Sequence, residues 1–353
     1  MPGYAIVMTA LALISSGAVA RADDLGPQED SAAKLARITA ELLPMRADRS
    51  MDIGYLGRGD TVFTHLGAGN AKDYEIGSIG KTFTAELFAD AVTRGEVRVD
   101  TRLREVLPLA GSAIGEVTLG DLAEHRSGVP EFATTPEMAL GGIDYVVNGK
   151  NPFHFDLPQL LAAARATPLL PGGVFQYSTL GYALLGQAVA AAAQTDYLTL
   201  LRTRMLEPLG LTHTWTPLTE ADLPADVGTG IDRSGKPEAA WAINATAPAG
   251  GMRSTVADLA VYARALLAGA VPGMVALEPM APGNIAGTAH GYSWGVVTSG
   301  GVEYTLHSGG TGGFSGLLLL DRHSGTALVF LRDVFDPTLE RAGVEILRRM
   351  RDE

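Results

Sequence analysis

The sequence predicts an α+β fold: a mostly antiparallel sheet flanked by N- and C-terminal helices, with an all-helical lobe inserted between its strands. Three observations predict it. Strand patterns lie at both ends of the chain, helical patterns dominate from Thr101 to about Ala245, and the strand–helix–strand alternation of a parallel sheet is missing. One sheet built from both ends, with a lobe beside it, leaves a cleft at the boundary. A single domain is expected over residues 23–353, its α/β part at about 31–100 and 246–353 and its helical insertion at about 101–245.

The first residues read as an address. Tyr4 to Ile14 is almost wholly apolar, Ser15-Ser16-Gly17 loosens the run, and Ala18 to Ala22 offers two Ala-x-Ala sites, ending at Ala20 and Ala22. This pattern resembles an export signal over residues 1–22, although its only positive charge before the apolar run is the start amine. The rival, an uncleaved anchor, needs roughly 20 apolar residues, and the run falls short. A periplasmic or secreted protein with no membrane span is therefore expected. Removing those residues, with their one arginine, takes the net charge from −12 to −13.

Leu35, Ile38, Leu42 and Leu43 then recur at helical spacing, after Asp30 or Ser31 as cap. Met51–Gly57 and Thr61–Gly67 alternate as strands around a Gly59-Asp60 turn. Glu75 to Thr82 reads as a strand end, a glycine-flanked turn and a helix start. The helix shows Phe83, Leu87, Phe88 and Ala91 on one face and stops at Gly95. Thr118–Glu124, Leu157–Thr167, Leu180–Ala193 and Tyr197–Met205 are the clearest helices of the middle region, which Pro168 to Gly173 breaks just before Tyr177. Val256–Leu267 is helical, strands return at Tyr292–Thr298, Val302–His307, Phe314–Asp321 and Ala327–Arg332, and a last helix covers Thr338–Met350.

Composition narrows the chemistry. The chain has 353 residues, 46% of them hydrophobic, enough for a sizeable core. A net charge of −12, with no block of lysines or arginines, argues against a nucleic-acid partner. The absence of cysteine removes disulfides, thiolate metal sites and cysteine nucleophiles. The seven histidines form no H-x-x-x-H or H-x-H pair, so zinc hydrolysis is unsupported and no metal or cofactor is expected.

Two serines then compete as nucleophile. In Ser78-Ile79-Gly80-Lys81, positions i and i+3 share a helix face and set a hydroxyl beside an amine, which activates the serine if the lysine is neutral. The pattern is cheap: Ser31-Ala32-Ala33-Lys34 repeats it, where a capping serine and a solvent-facing lysine suffice. Glycines at 77 and 80 and the place between strand and buried helix leave Ser78 evenly balanced between cap and nucleophile. The rival is Ser293, in Gly291-Tyr292-Ser293-Trp294-Gly295, which fits the G-x-S-x-G elbow of α/β-hydrolases. Only His307 and His323 follow it, Asp321 is too close to His323 to converge with it on a distant serine, and a glycine-bracketed strand is the better reading. His125 reads as structural, satisfied by nearby backbone, and Trp215, Trp241 and Trp294 as core or cleft wall.

Further segments extend the Ser78 motif. Leu122 to Pro130, Tyr177-Ser178-Thr179 after Pro171-Gly172-Gly173, Gly250 to Thr255, and His307-Ser308-Gly309 before Gly310-Thr311-Gly312-Gly313 follow in order. Together they resemble the serine β-lactamase and penicillin-binding-protein family, in its class C and D-alanyl-D-alanine carboxypeptidase branch, over about residues 32–350. The resemblance implies that family's α+β fold with a helical insertion. It implies Ser78 as acylated nucleophile, Lys81 as the amine that helps deprotonate it, and Tyr177 as a relay to the leaving group. It also implies His307 as a contact to that relay and to a substrate carboxylate, and the N–H groups of Ser78 and Gly310 as oxyanion hole, with Thr179 and Gly309 lining the substrate. The expected activity is an exported serine hydrolase acting on an ester or amide: a D-amino-acid peptide, a β-lactam or a small ester. Two departures count against an efficient β-lactamase. Thr179 replaces an asparagine and offers one hydroxyl for an amide, and His307 replaces a lysine and offers a partial charge near neutral pH. A non-catalytic sensor or binding protein with the same cleft is the alternative.

Overall fold

The computed structural model describes residues 30–43, 48–67, 73–148, 151–232, 234–283, 287–336 and 339–352. The expected export signal over residues 1–22 lies outside them. Helix α1 (Ser31–Leu42) starts at Asp30, whose carboxylate accepts the amides of Ala32 and Ala33 at 2.6 and 3.4 Å, so the aspartate is the cap. Strands β1 (Met51–Leu56) and β2 (Thr61–Leu66) form a hairpin, closed by Gly57 N–H donating to Asp60 O at 3.0 Å. The short strand β3 (Tyr74–Glu75) leads through one 3₁₀ turn, Gly77–Ile79, into α2 (Gly80–Thr93). Helix α2 ends in a Schellman motif: Gly95 takes φ +73° and the amides of Gly95 and Glu96 close onto Val92 O and Ala91 O at 3.0 Å each. Its buried residues run unbroken from Gly80 to Ala91, so it is a central helix and not the one-faced helix of the apolar pattern.

The middle of the chain is helical: α3 (Leu103–Val106), α4 (Leu119–Ala123), α5 (Pro136–Asn148), α6 (Leu157–Ala166), α7 (Thr179–Ala192), α8 (Tyr197–Leu201) and α9 (Glu207–Leu209). Helix α5 carries Gly141 and Gly142 in its interior, which weakens its propensity signal. Arg202–Leu206 forms a π turn, so the helix expected to run to Met205 is α-helical only to Leu201.

Strand β4 (Arg253–Ser254) pairs with β3, and α10 (Val256–Leu267) follows. Strands β5 (Ala281–Pro282), β6 (Thr288–His290), β7 (Gly295–Ser299), β8 (Val302–Gly310), β9 (Ser315–Asp321) and β10 (Thr326–Arg332) precede the last helix, α11 (Leu339–Asp352). The strand expected from Tyr292 begins only at Gly295. Residues 291–294 turn instead, with Ser293 at φ +64° and Gly291 so tightly packed that a Cβ would meet Ala276 O at 2.3 Å.

One antiparallel sheet, ordered β2-β1-β10-β9-β8-β7-β6-β5, joins both ends of the chain, with Ile53 opposite Phe330 in the β1–β10 pair. Both of its faces are covered. Leu317, Leu319, Leu328 and Phe330 point to α1 and α11, packing with Leu35, Ile38, Ile346 and Leu347. Leu318, Leu320, Val329 and Leu331 point the other way, into the larger core with Phe83 and Tyr262. The period of two along a strand buried on both faces explains the continuous run Leu317 to Leu320.

Candidate active site

Ser78 sits in the 3₁₀ turn where β3 hands over to α2. Among the described residues no side chain caps that turn or the helix after it, so the capping reading of Ser78 does not hold. Gly77 takes φ +50°, and a Cβ there would lie 2.6 Å from both the N and the O of Gly310. A Cβ on Gly309 would meet Ile76 O at 2.0 Å. Only glycines let the end of β8 press against the serine turn this closely.

The turn is held from behind by a buried cation. Arg253, wholly buried on β4, donates to Asp73 at 2.8 and 3.0 Å and to Glu75 at 3.0 Å. Glu75 also accepts the Trp241 amide at 2.7 Å, and Ile76 N–H donates to Met252 O at 3.0 Å. Burial pushes the Glu75 carboxyl up and Arg253 pulls it back, so the ion pair is what makes an anion tolerable beside the turn. The sequence places Glu75 at a strand end and Arg253 in a recurrent segment but gives neither a charge partner, and it does not single out Asp73.

Lys81 projects from the first turn of α2, wholly buried, with Nζ 2.9 Å from Ser78 Oγ. It also donates to Ala249 O at 2.5 Å. Burial lowers its pKa from 10.5 to about 7, against the opposing pull of Glu131. A lysine so placed is part neutral at neutral pH, and can accept the serine proton while still donating to Ala249. The second Ser-x-x-Lys, at Ser31 and Lys34, has no such surroundings: Lys34 reaches Met350 O at 3.4 Å.

Tyr177 enters from the segment before α7, its ring centroid 4.9 Å from Lys81 Nζ. Burial raises its phenol above the usual range while a hydrogen bond with Ser78 draws it back, so it is un-ionised at neutral pH. The following Ser178 caps α7, accepting Gly181 N–H at 2.8 Å. Thr179 is the first residue of α7. It lines a cavity of about 160 Å³ with Ser78, Lys81, Glu131, Tyr177 and Trp241.

His307 arrives on β8, its ring 6.5 Å from that of Tyr177. Its Nδ1–H donates to Ser308 O at 2.6 Å, which leaves Nε2 with the lone pair. Burial first and Lys81 second lower its pKa from 6.5 to about 4. The partial charge expected of this histidine is therefore absent at neutral pH, because the same burial that shapes the site removes the water that would solvate the imidazolium.

A second cavity, of about 480 Å³, shares Ser78, Tyr177 and Gly310 with the first and is lined also by His307, Ser308 and Gly309. Its lining also includes Asp336, paired with Arg332 at 2.8 Å, and Glu340, which accepts Ser308 Oγ–H at 2.6 Å. Among the described residues lining the two cavities, Lys81 is the one cationic side chain, and Glu131, Asp336 and Glu340 are acidic. No local pattern flags these carboxylates: Asp336 reaches the site from the segment after β10 and Glu340 from the first turn of α11.

Ser293 also lines the larger cavity. Among the described residues no histidine hydrogen-bonds its hydroxyl, and Asp321 is committed to Arg351 and Ser324. The antiparallel sheet is not that of an α/β-hydrolase. Trp294 is wholly buried, Trp241 lines the smaller cavity, and Trp215 donates to Asp73 at 2.8 Å.

The model of the family described as "Beta-lactamase" matches residues 48–348 of the chain. Among curated proteins, penicillin-binding protein 4 of Amycolatopsis lactamdurans is similar: 28% identical, over 77% of this chain and 78% of its own length. Among solved structures, a class C β-lactamase from Rhodobacter sphaeroides superposes with a TM-score of 0.72 at 20% identity, over 90% of this chain and 98% of that one. An octameric penicillin-binding protein homologue from Pyrococcus abyssi superposes at 0.74 and 24% identity, over 90% of this chain and 77% of that one. At those identities the structures speak for the fold.

Proposed function

The chain belongs to the beta-lactamase family, and from that premise we propose that it is a serine hydrolase forming an acyl-enzyme at Ser78 on an ester or amide substrate. The observation that carries the reading is the wholly buried Lys81 amine, 2.9 Å from Ser78 Oγ with a pKa of about 7. In acylation Ser78 Oγ forms a bond to the carbonyl carbon and its proton passes to Lys81. The un-ionised Tyr177 gives its proton to the departing oxygen or nitrogen and recovers one from Lys81. The carbonyl-to-leaving-group bond breaks and the net charge of the site is unchanged. The amides of Ser78 and Gly310 are assigned to the oxyanion, where one donor is worth about 10²–10³ in rate. Water then hydrolyses the acyl-serine.

The surroundings narrow the substrate. With His307 neutral and Asp336 and Glu340 lining the larger cavity, the one cation near a substrate carboxylate among the described residues is Lys81, which is already engaged with Ser78 and Ala249. A small ester or amide without a carboxylate suits the site best. Thr179 supports a second reading, a protein that is acylated but turns over slowly, because one hydroxyl there cannot reproduce the contacts of a carboxamide.

Intact-mass analysis after a fluorophosphonate probe tests the nucleophile. Wild type should gain one adduct and Ser78→Ala none; an unlabelled wild type, or a labelled alanine variant, overturns the proposal. A panel of nitrocefin, a D-Ala-D-Ala peptide and short p-nitrophenyl esters tests the substrate, with esters expected to react fastest. We place the protein outside the cytoplasm; a mature N-terminus at Asp23 in an exported fraction is the expected finding.

A further inference from the structure

His125 has no role in the chemistry above, yet it touches Tyr177 from three sides. Its backbone carbonyl accepts Gln176 N–H at 2.6 Å, and its Nδ1 accepts Ser178 N–H at 3.0 Å. The two amides flanking Tyr177 are thus fixed by one residue. Its ring lies over the tyrosine, centroids 4.7 Å apart and planes inclined by 31°, and Tyr182 and Phe175 enclose the imidazole at 4.7 and 5.6 Å.

This arrangement is held at a cost. His125 adopts φ +55°, a left-handed conformation that side chains other than glycine rarely take and that asparagine and histidine tolerate best. An Nδ1 that accepts a backbone N–H must carry a lone pair, so the proton of the neutral ring sits on Nε2. That nitrogen is buried and has no acceptor among the described residues. The contacts His125 makes to the Tyr177 segment, through Nδ1, the backbone carbonyl and the ring face, are positioning contacts.

We propose that His125 is the positioning residue for Tyr177, holding the phenol against Ser78 through the Ser178 N–H···Nδ1 bond and the stacked ring. Burial, with Lys81, His307 and His290 nearby, keeps the imidazole neutral and so keeps the acceptor in place. The inference rests on the acyl-enzyme reading, in which Tyr177 protonates the leaving group.

The test compares two acetate esters, one with p-nitrophenolate, which leaves unaided, and one with an alkyl alcohol, which needs a proton. His125→Phe keeps the ring and loses the acceptor. It should cut kcat/KM, which reports acylation, for the alkyl ester by about 10², the scale of one general-acid contribution, while changing that for the p-nitrophenyl ester less than about threefold. His125→Asn places an oxygen where Nδ1 stands and tolerates the backbone. It should stay within about tenfold of wild type on the alkyl ester. Adding Tyr177→Phe to His125→Phe should cost nothing further, as expected of two residues acting as one unit.

Equal losses on both esters, additive losses in the double variant, or a collapse of alkyl-ester turnover in a folded His125→Asn would overturn the proposal. The asparagine variant decides the matter even if the phenylalanine variant does not fold. Fluorophosphonate labelling separates the two levels. A wild type labelled at Ser78 with additive variants sinks this inference alone, and a wild type unlabelled at Ser78 sinks the reading beneath it as well.

Discussion

A lysine and a histidine about which spacing says nothing electrical decide the chemistry of the cleft. Lys81 stands three residues after Ser78, which any reader of the sequence can see, but its pKa of about 7 comes from total burial. Rate should follow its neutral form: kcat/KM falls about tenfold per pH unit below about 7 and levels off above it. Glu131 opposes the shift by favouring the ammonium. Glu131→Gln should therefore lower the Lys81 pKa and move the acid limb of the profile to lower pH; a profile that does not move, or moves up, contradicts this assignment. His307 was legible as a motif residue, whereas its neutrality was not, since it depends on what β8 packs against. With a folded pKa of about 4 against 6.5, the unfolded chain binds more protons between those values, so its contribution to stability is lost as pH falls from 6.5 towards 4. Restoring a fixed cation with His307→Lys should raise kcat/KM for nitrocefin relative to a neutral ester by about tenfold, read from the substrate panel.

At the scale of elements, the motif segments were readable because each lies where backbone geometry changes: a strand-to-helix turn at Ser78, a helix start at Thr179, a strand end at Gly309 and Gly310. What pattern could not supply was how these ends meet. Gly77 has an ordinary place in a turn, and only the structure shows Gly310 pressed where its Cβ would be. Gly77→Ala should thus retain a folded protein with lowered melting temperature and labelling at Ser78 slowed by at least about tenfold, since the Ser78 and Gly310 amides proposed to hold the oxyanion would be pushed apart. The clamp on β3 is a separate quantity. Arg253→Met would leave Asp73 and Glu75 facing each other without their cation, and removing one partner of a buried ion pair costs about 3–5 kcal/mol. Urea denaturation measures it; a loss under 1 kcal/mol would mean that the carboxylates find water instead. The turn at 291–294, expected as strand, shows the limit of periodic reading: Tyr292 and Trp294 are both apolar and both buried, yet the positive φ of Ser293 breaks the ladder between them.

The whole molecule turns two distant chain ends into one sheet, and this was the most legible feature, because strand patterns cluster at the termini and nothing in the middle competes with them. The pairing itself was not: β1 could join any of several later strands, and burial on both faces selects β10. Phe330 sits at that joint, opposite Ile53 on one side and Leu317 on the other, wholly inside the layer that α1 and α11 close. It touches neither cavity. Its loss should nonetheless be felt at the active site, because β10 and β9 link the N-terminal hairpin to β8, which carries His307 and Gly310. Phe330→Ala should cost about 3–5 kcal/mol, as buried aromatic truncations do. If the sheet and lobe form one cooperative unit, tryptophan fluorescence and Ser78 labelling should be lost at the same denaturant midpoint, shifted equally from wild type. Labelling that survives while the fluorescence transition moves would instead show that the cleft stands on the lobe and β8 alone, with the joint between the chain ends serving only the outer layer.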